Sequence, residues 1–116
     1  MCNRMLELQV LAASVRSAAS MARAAWIAAG SSGSTVSMDG TNNVTVTTSG
    51  TTPGYPTAAS GGIEAALQTL DSNFQVSHSG TTSTFMAKGF TNCTFTYDQG
   101  TGVVTTTSLG TASNCQ

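Results

Sequence analysis

The sequence predicts an α+β fold, in which one long N-terminal helix precedes mostly antiparallel strands. Residues 4–29 hold nine alanines and neither glycine nor proline, a composition that favours helix. After Gly33 the apolar residues alternate with period two between turn-forming residues, which is typical of half-buried strands. A chain of 116 residues fits one domain, so we expect the helix to pack on one face of a sheet.

The predicted helix carries an apolar stripe along one side. Asn3 is a suitable N-cap, and Gly30 is a suitable C-terminal stop. We expect Met21 and Trp26 to widen the stripe. Its members recur in steps of three and four, as one helical face requires: Leu8, Leu11, Val15, Ala18, Ala22, Ala25 and Ala29.

The remaining elements follow from alternation and turn residues. The first is a hairpin of residues 35–38 and 44–47 across a turn at 39–43, and a loop at 49–56 follows it. Next comes a short helix at 61–70, capped by Ser60. Short strands at 74–76 and 84–87 and a hairpin of 93–97 and 103–107 complete the predicted order. Between the short strands, residues 78–83 are polar, and we expect a turn with His78 exposed in it.

Composition argues against several functional classes. The net charge is -1 with four basic residues that form no cluster, whereas nucleic acids and anionic membranes require a basic patch. The chain has one histidine and no nucleophile motif, zinc-type cysteine spacing or acidic calcium loop. We therefore expect no catalytic residue, no metal, no cofactor and no enzymatic activity. The carboxylates are expected in turns or on exposed helix positions: Glu7, Asp39, Glu64, Asp71 and Asp98.

Four features carry a family resemblance. They are the alanine-rich helix that ends Ala22-Arg23-Ala24-Ala25-Trp26, the run Val36-Ser37-Met38-Asp39-Gly40, Gly54-Tyr55-Pro56 followed by Ala58-Ala59-Ser60-Gly61-Gly62-Ile63, and the pair Cys93 and Cys115 around the last strands. Together they make residues 8–116 resemble the head domain of a type IV pilin of the mannose-sensitive haemagglutinin (MSHA) type.

The resemblance implies a pilin-like fold, with the helix packed on an antiparallel sheet, and a Cys93–Cys115 disulfide that closes the C-terminal region. The alternative for the two cysteines is a pair of buried free thiols. The residues expected to have a structural or assembly role are Leu8, Leu11, Val15, Ala22, Trp26, Gly54, Tyr55 and Pro56. For Tyr55 and Pro56, two interpretations stay open: a contact with the next subunit, or a loop packed on its own domain by the tyrosine ring.

The resemblance also implies a function. The expected role is the major structural subunit of a pilus filament for surface attachment or motility. The expected partners are other pilin subunits, the pilus assembly machinery, and a host or abiotic surface. The expected location is the bacterial cell surface, after passage through the inner membrane. Alternatives are a type II secretion pseudopilin, a minor pilin or tip adhesin, and, in another class, a secreted β-rich ligand-binding domain.

The beginning of the chain departs from the family pattern. Type IV pilins carry a cleaved leader, an N-terminus that becomes methylated, and a hydrophobic helix of membrane-spanning length, which would be the only membrane contact. Residues 1–7 show none of these, and we expect them to be an altered or added start. Cys2 is the third cysteine, and we expect it to be a free thiol or an intermolecular crosslink.

Overall fold

A computed structural model describes residues 3–40, 43–68, 70–110 and 115. Its first element is helix α1 (Asn3–Ala28). The alanine-rich composition explains its length, and Gly30 follows it with a positive φ of 104°, a conformation that ends helices. Among the described residues, no helix is both long and apolar enough to cross a membrane.

The strands form two separate antiparallel sheets. The first is a hairpin of β1 (Thr35–Ser37) and β2 (Asn43–Thr45), and the second has four strands in the order β3-β4-β5-β6. The latter strands are β3 (Phe74–Ser79), β4 (Thr82–Ala87), β5 (Phe90–Asp98) and β6 (Val104–Thr105). Between the sheets lie a π-helical turn (Ser60–Glu64) and the one-turn helix α2 (Ala65–Leu67), and a 3-10 turn (Thr107–Gly110) follows β6.

Helix α1 divides the core into two clusters. Its first half packs on the four-stranded sheet in what we call the sheet cluster, which includes Leu8, Ala12, Val15, Ala19, Ile63, Phe85, Phe95, Tyr97 and Leu109. Its second half packs on the hairpin in the hairpin cluster, which consists of Ala18, Ala22, Trp26, Val36, Val44, Val46 and Ala66. One face of a single helix therefore covers two sheets.

The prediction of a pilin-like fold, with the helix on one antiparallel sheet, is wrong. The fold is α+β, but the strands are split between two sheets. The reason lies in residues 46–68, where a loop with two prolines and the π-helical turn separate β2 from β3. An isolated bridge, Val46 to Pro56, extends the hairpin into this loop.

Other predicted elements differ in extent. Both predicted hairpins are confirmed, although β6 is short because the 3-10 turn begins at Thr107. The predicted helix at 61–70 is a π-helical turn plus one α-turn, and Gln68 leaves it with a φ of 69°. Met21 is 60% exposed and so lies opposite the core. The Asn3 side chain, residues 41–42, Thr69 and Cys2 lie outside what the structure describes.

The predicted polar turn at 78–83 is wrong for most of its length. β3 continues to Ser79 and β4 begins at Thr82, so the turn between them is two residues long. His78 is a strand residue that pairs with Ser83 across this hairpin. Polarity alone does not indicate a turn here, because cross-strand pairing in a sheet accommodates serine and threonine well.

Candidate assembly surface

The side of α1 opposite the core carries a continuous uncharged stripe. Leu6, Val10 and Met21 are 58%, 68% and 60% exposed. Small residues continue the same line at three- and four-residue steps, which keeps them on one helical face. We call this surface the helix stripe, and its members are Leu6, Val10, Ala13, Ser17, Met21, Ala24 and Ala28, all of them exposed.

The stripe is long and free of charge. From Leu6 to Ala28 it spans ~33 Å at the helical rise of about 1.5 Å per residue. Beside it, between α1 and α2, lies an open groove of about 470 Å³, to which Met38, Ala66 and Leu67 contribute. An exposed apolar surface of this kind commonly marks a site of association.

The two arginines of the middle of α1 lie beside the stripe and are tied to the domain. The Arg23 guanidinium donates from Nε to the Pro53 carbonyl oxygen at 3.0 Å and lies 5.3 Å from the centre of the Tyr55 ring. Arg16 donates from Nη2 to the Val104 carbonyl oxygen at 3.4 Å. These contacts hold both charges away from the stripe, so it remains available for apolar contact.

Four residues predicted for a structural or assembly role are part of the core. Leu8, Val15 and Ala22 are fully buried, and Trp26 is 6% exposed. The Trp26 indole donates from Nε1 to the Gly33 carbonyl oxygen at 2.9 Å, which ties the end of α1 to the segment leading into β1. Leu11 is half-buried at the edge of the sheet cluster. Their buried sides shape the domain, and any part in assembly stays a prediction.

The Gly54-Tyr55-Pro56 segment packs on its own domain. Gly54 has a φ of 102°, and a Cβ there would lie 2.4 Å from Cε3 of Trp26, so only glycine fits. Pro56 is buried, and its carbonyl oxygen accepts a hydrogen bond from the Tyr97 hydroxyl at 2.6 Å. Gly54 and Tyr97 connect this segment to the hairpin and sheet clusters respectively. A contact of the half-buried Tyr55 with a neighbouring subunit stays a prediction.

The Cys93–Cys115 disulfide is present. Its Cα atoms are 4.7 Å apart, and it closes 22 residues of chain between β5 and the C-terminal end. Both cysteines are buried within the sheet cluster. Closing a loop of this length stabilises a fold by about 3 kcal/mol in the chain-entropy model, which is a large share of the stability of a small domain.

A polar chain that the sequence did not reveal connects three side chains. His78 Nε2 lies 2.5 Å from Glu64 Oε1, and His78 Nδ1 lies 2.7 Å from Ser83 Oγ. The order resembles that of a nucleophile, base and acid, but Ser83 is fully buried, so a substrate has no access to its hydroxyl. The chain links the π-helical turn to the four-stranded sheet and satisfies a buried hydroxyl.

The hydrogen bonds of His78 to Glu64 and Ser83 show that the expectation of an exposed loop histidine is wrong. Glu64 precedes His78 by 14 residues, so no local spacing pattern signals their contact. Cross-strand pairing of His78 and Ser83 could have been found only with the correct hairpin register. Among the described residues, no group of three histidine, cysteine or carboxylate side chains is arranged to hold a metal ion.

No protein-family model, curated protein or solved structure matches this chain.

Proposed function

We propose that this protein is a structural subunit of an extracellular filament of the MSHA-like type IV pilus class. The observation that carries the proposal is the helix stripe, an exposed and uncharged line of apolar and small residues along α1. The sequence features quoted above supply the filament class by resemblance. The proposal concerns how subunits associate and does not depend on a pilin-like fold.

The stripe supports association between helices. Alanine and serine at Ala13, Ser17 and Ala24 let a neighbouring helix approach closely, while Leu6, Val10 and Met21 supply apolar area to bury. Burial of apolar area is the principal favourable term in most protein association. No member of the stripe is charged, so burying its side chains desolvates no ion. The Glu7 carboxylate lies at the edge of the stripe, beside Leu6 and Val10.

The disulfide and the surface composition support an exported location. Disulfides persist in oxidising compartments such as the periplasm and the cell surface. Charged residues make up 8% of the chain, and a charge-poor surface resists self-association weakly. In the proposed arrangement the helices pack along their stripes, and the two sheets face outward, where they meet the surface to which the filament attaches.

Immunogold electron microscopy tests the role directly. Antibodies against this chain should label surface filaments of the producing cells along their whole length. Label restricted to filament tips would indicate a minor pilin or tip adhesin, and chain in the envelope without long fibres would indicate a secretion pseudopilin. Secreted chain in the medium without filaments would overturn the proposal in favour of a secreted binding domain.

Charge placed on the stripe tests the mechanism. Val10→Glu with Met21→Glu should lower the yield of sheared filaments by on the order of tenfold or more, since burying carboxylates costs several kcal/mol. Both positions are exposed, and glutamate favours helix, so the melting temperature should barely change. Gln9→Glu is the matched control, because Gln9 is exposed beside the stripe. Normal filament yield in the double variant would contradict the mechanism.

A further inference from the structure

A second surface feature lies at the opposite end of the four-stranded sheet from the β3–β4 turn. A cavity of about 450 Å³ opens between the first turns of α1 and the strand ends, lined by Arg4, Glu7, Asn73, Phe74, Ala87 and Lys88. Its volume is within the range of small-molecule binding sites. The cavity is separate from the groove beside the helix stripe.

The cavity gathers positive charge in a chain that has little of it. Two of the four basic residues of the protein, Arg4 and Lys88, line it. In the described part of the chain, neither is within 4.0 Å of a carboxylate oxygen, because the one ion pair there joins His78 and Glu64. The Glu7 carboxylate lines the same cavity, so the lining holds two cations and one anion, and its net positive charge attracts an anion.

The surrounding fold holds the Arg4 guanidinium and the backbone of two other cavity residues, Asn73 and Lys88. The Arg4 guanidinium lies 4.1 Å from the centre of the Phe90 ring, a cation–π contact that orients it. The Lys88 backbone N–H donates to the Asn73 carbonyl oxygen at 2.9 Å, which fixes the β4–β5 turn beside the segment leading into β3. These contacts place the Arg4 guanidinium and the backbone of Asn73 and Lys88 around one space.

We propose that this cavity binds an acidic sugar, with its carboxylate on Arg4 and Lys88. Guanidinium groups match the planar, two-oxygen geometry of a carboxylate. The Asn73 amide and the Glu7 carboxylate are suited to sugar hydroxyls, which both donate and accept hydrogen bonds. The half-buried Phe74 ring supplies an apolar wall for the face of the sugar. This site goes beyond the filament role and does not require it.

The matched ligands are D-glucuronate and D-glucose. They differ at one carbon, which carries a carboxylate in glucuronate and a hydroxymethyl group in glucose. In amide NMR titrations of the full chain, glucuronate should shift the resonances of Asn73, Phe74 and Lys88 at millimolar concentration, and glucose should bind about tenfold more weakly or worse, a difference of ~1.4 kcal/mol. Acetate, a carboxylate without a ring, should also bind more weakly. Equal binding of glucose, or tighter binding of acetate or inorganic phosphate, would overturn the sugar assignment.

Two variants test whether Arg4 and Lys88 bind the carboxylate of the ligand. Lys88→Gln should weaken glucuronate binding by about tenfold while leaving the spectrum otherwise folded, because Lys88 is exposed. Arg4→Gln should have a similar effect. Arg16→Gln removes the same charge at a position outside the cavity and should leave binding unchanged. Equal losses in all three variants would show that net charge rather than this cavity governs the interaction. Unchanged binding in Lys88→Gln would overturn the proposed site.

Discussion

The two clusters beneath α1 are stabilised in different ways. The sheet cluster contains large side chains, including Phe85 and Phe95 with ring centres 4.9 Å apart, and it is closed by a disulfide. The hairpin cluster has alanines and valines around a single large side chain, Trp26, and its sheet has two three-residue strands. A two-stranded hairpin is marginal by itself, so this half depends on the helix end and Trp26.

The largest expected effect follows from removing that side chain. Trp26→Ala should lower the free energy of unfolding by about 3–5 kcal/mol, because it leaves a cavity and removes the hydrogen bond to Gly33. Hydrogen exchange should show lost protection at Val36, Val44 and Val46 while the amides of β4 and β5 keep theirs. Equal loss of exchange protection in both clusters would contradict their separate stabilisation and indicate one cooperative core.

Removing the disulfide should destabilise the sheet cluster, in which both cysteines are buried. Cys93→Ala with Cys115→Ala should lower the free energy of unfolding by about 3 kcal/mol, with the increase in exchange concentrated in β5 and the segment after β6. Reduction of the native chain, which leaves no alanine-sized cavity, is the second measurement. Before reduction, alkylation and intact mass should show one reactive thiol, and after reduction three. Three reactive thiols in the unreduced folded protein would contradict the bridge.

A smaller effect is expected where glycine meets Trp26. Gly54→Ala and Gly50→Ala both place a side chain at positive φ, 102° and 94°, at a cost of about 1 kcal/mol each. Only Gly54 has the indole where the new Cβ would lie, so we expect about 1–3 kcal/mol of additional loss there from overpacking. Chemical denaturation measures both. Equal losses of unfolding free energy in the two variants would mean that the Trp26 side chain moves aside at little cost, and that the hairpin cluster is less tightly packed than described.

The smallest effect concerns Tyr97, which joins the sheet cluster to the loop of Gly54. Burial raises the pKa of the Tyr97 phenol above its usual range, with further increases from Tyr55 and Asp98. The unfolded phenol ionises near pH ~10, so this contribution to stability is complete below that pH and is lost as pH rises above it. Stability of the wild type should therefore fall at alkaline pH.

Tyr97→Phe separates this titration from the hydrogen bond. The variant should lose about 1 kcal/mol at neutral pH, since the bond to the Pro56 carbonyl oxygen is gone. Its stability should then decline less steeply than that of the wild type above pH ~10. Parallel declines in the two proteins, measured by denaturant titration across that range, would show that other groups cause the alkaline loss.

Local pattern was enough to predict several elements. Alanine content predicted α1 to within one residue at each end, and alternation predicted both hairpins. The division into two sheets was not predictable in this way, because it depends on which strands pair across the 46–68 segment. The π-helical turn was also missed, since Gly61 and Gly62 permit several backbone paths and tertiary contact selects among them.

The candidate surfaces were predictable to different degrees. The helix spacing correctly predicts that Leu8 and Val15 face inward. Because alanine is small, the spacing does not define how wide the buried face is, and the prediction for Met21 is wrong. The Arg4–Lys88 cavity and the Glu64–His78–Ser83 chain were not visible, because each joins residues distant in sequence. Such groupings depend on sheet register and helix placement, which no short-range pattern encodes.

The position of Trp26 has a spectroscopic consequence. The chain has one tryptophan, and it is buried only in the hairpin cluster. Its intrinsic fluorescence therefore reports on the end of α1 and the hairpin, while the disulfide-closed half contributes no indole signal. A fluorescence melt and a far-ultraviolet circular dichroism melt of the same sample would consequently follow different parts of the molecule, and the gap between their midpoints measures how tightly the two halves are coupled.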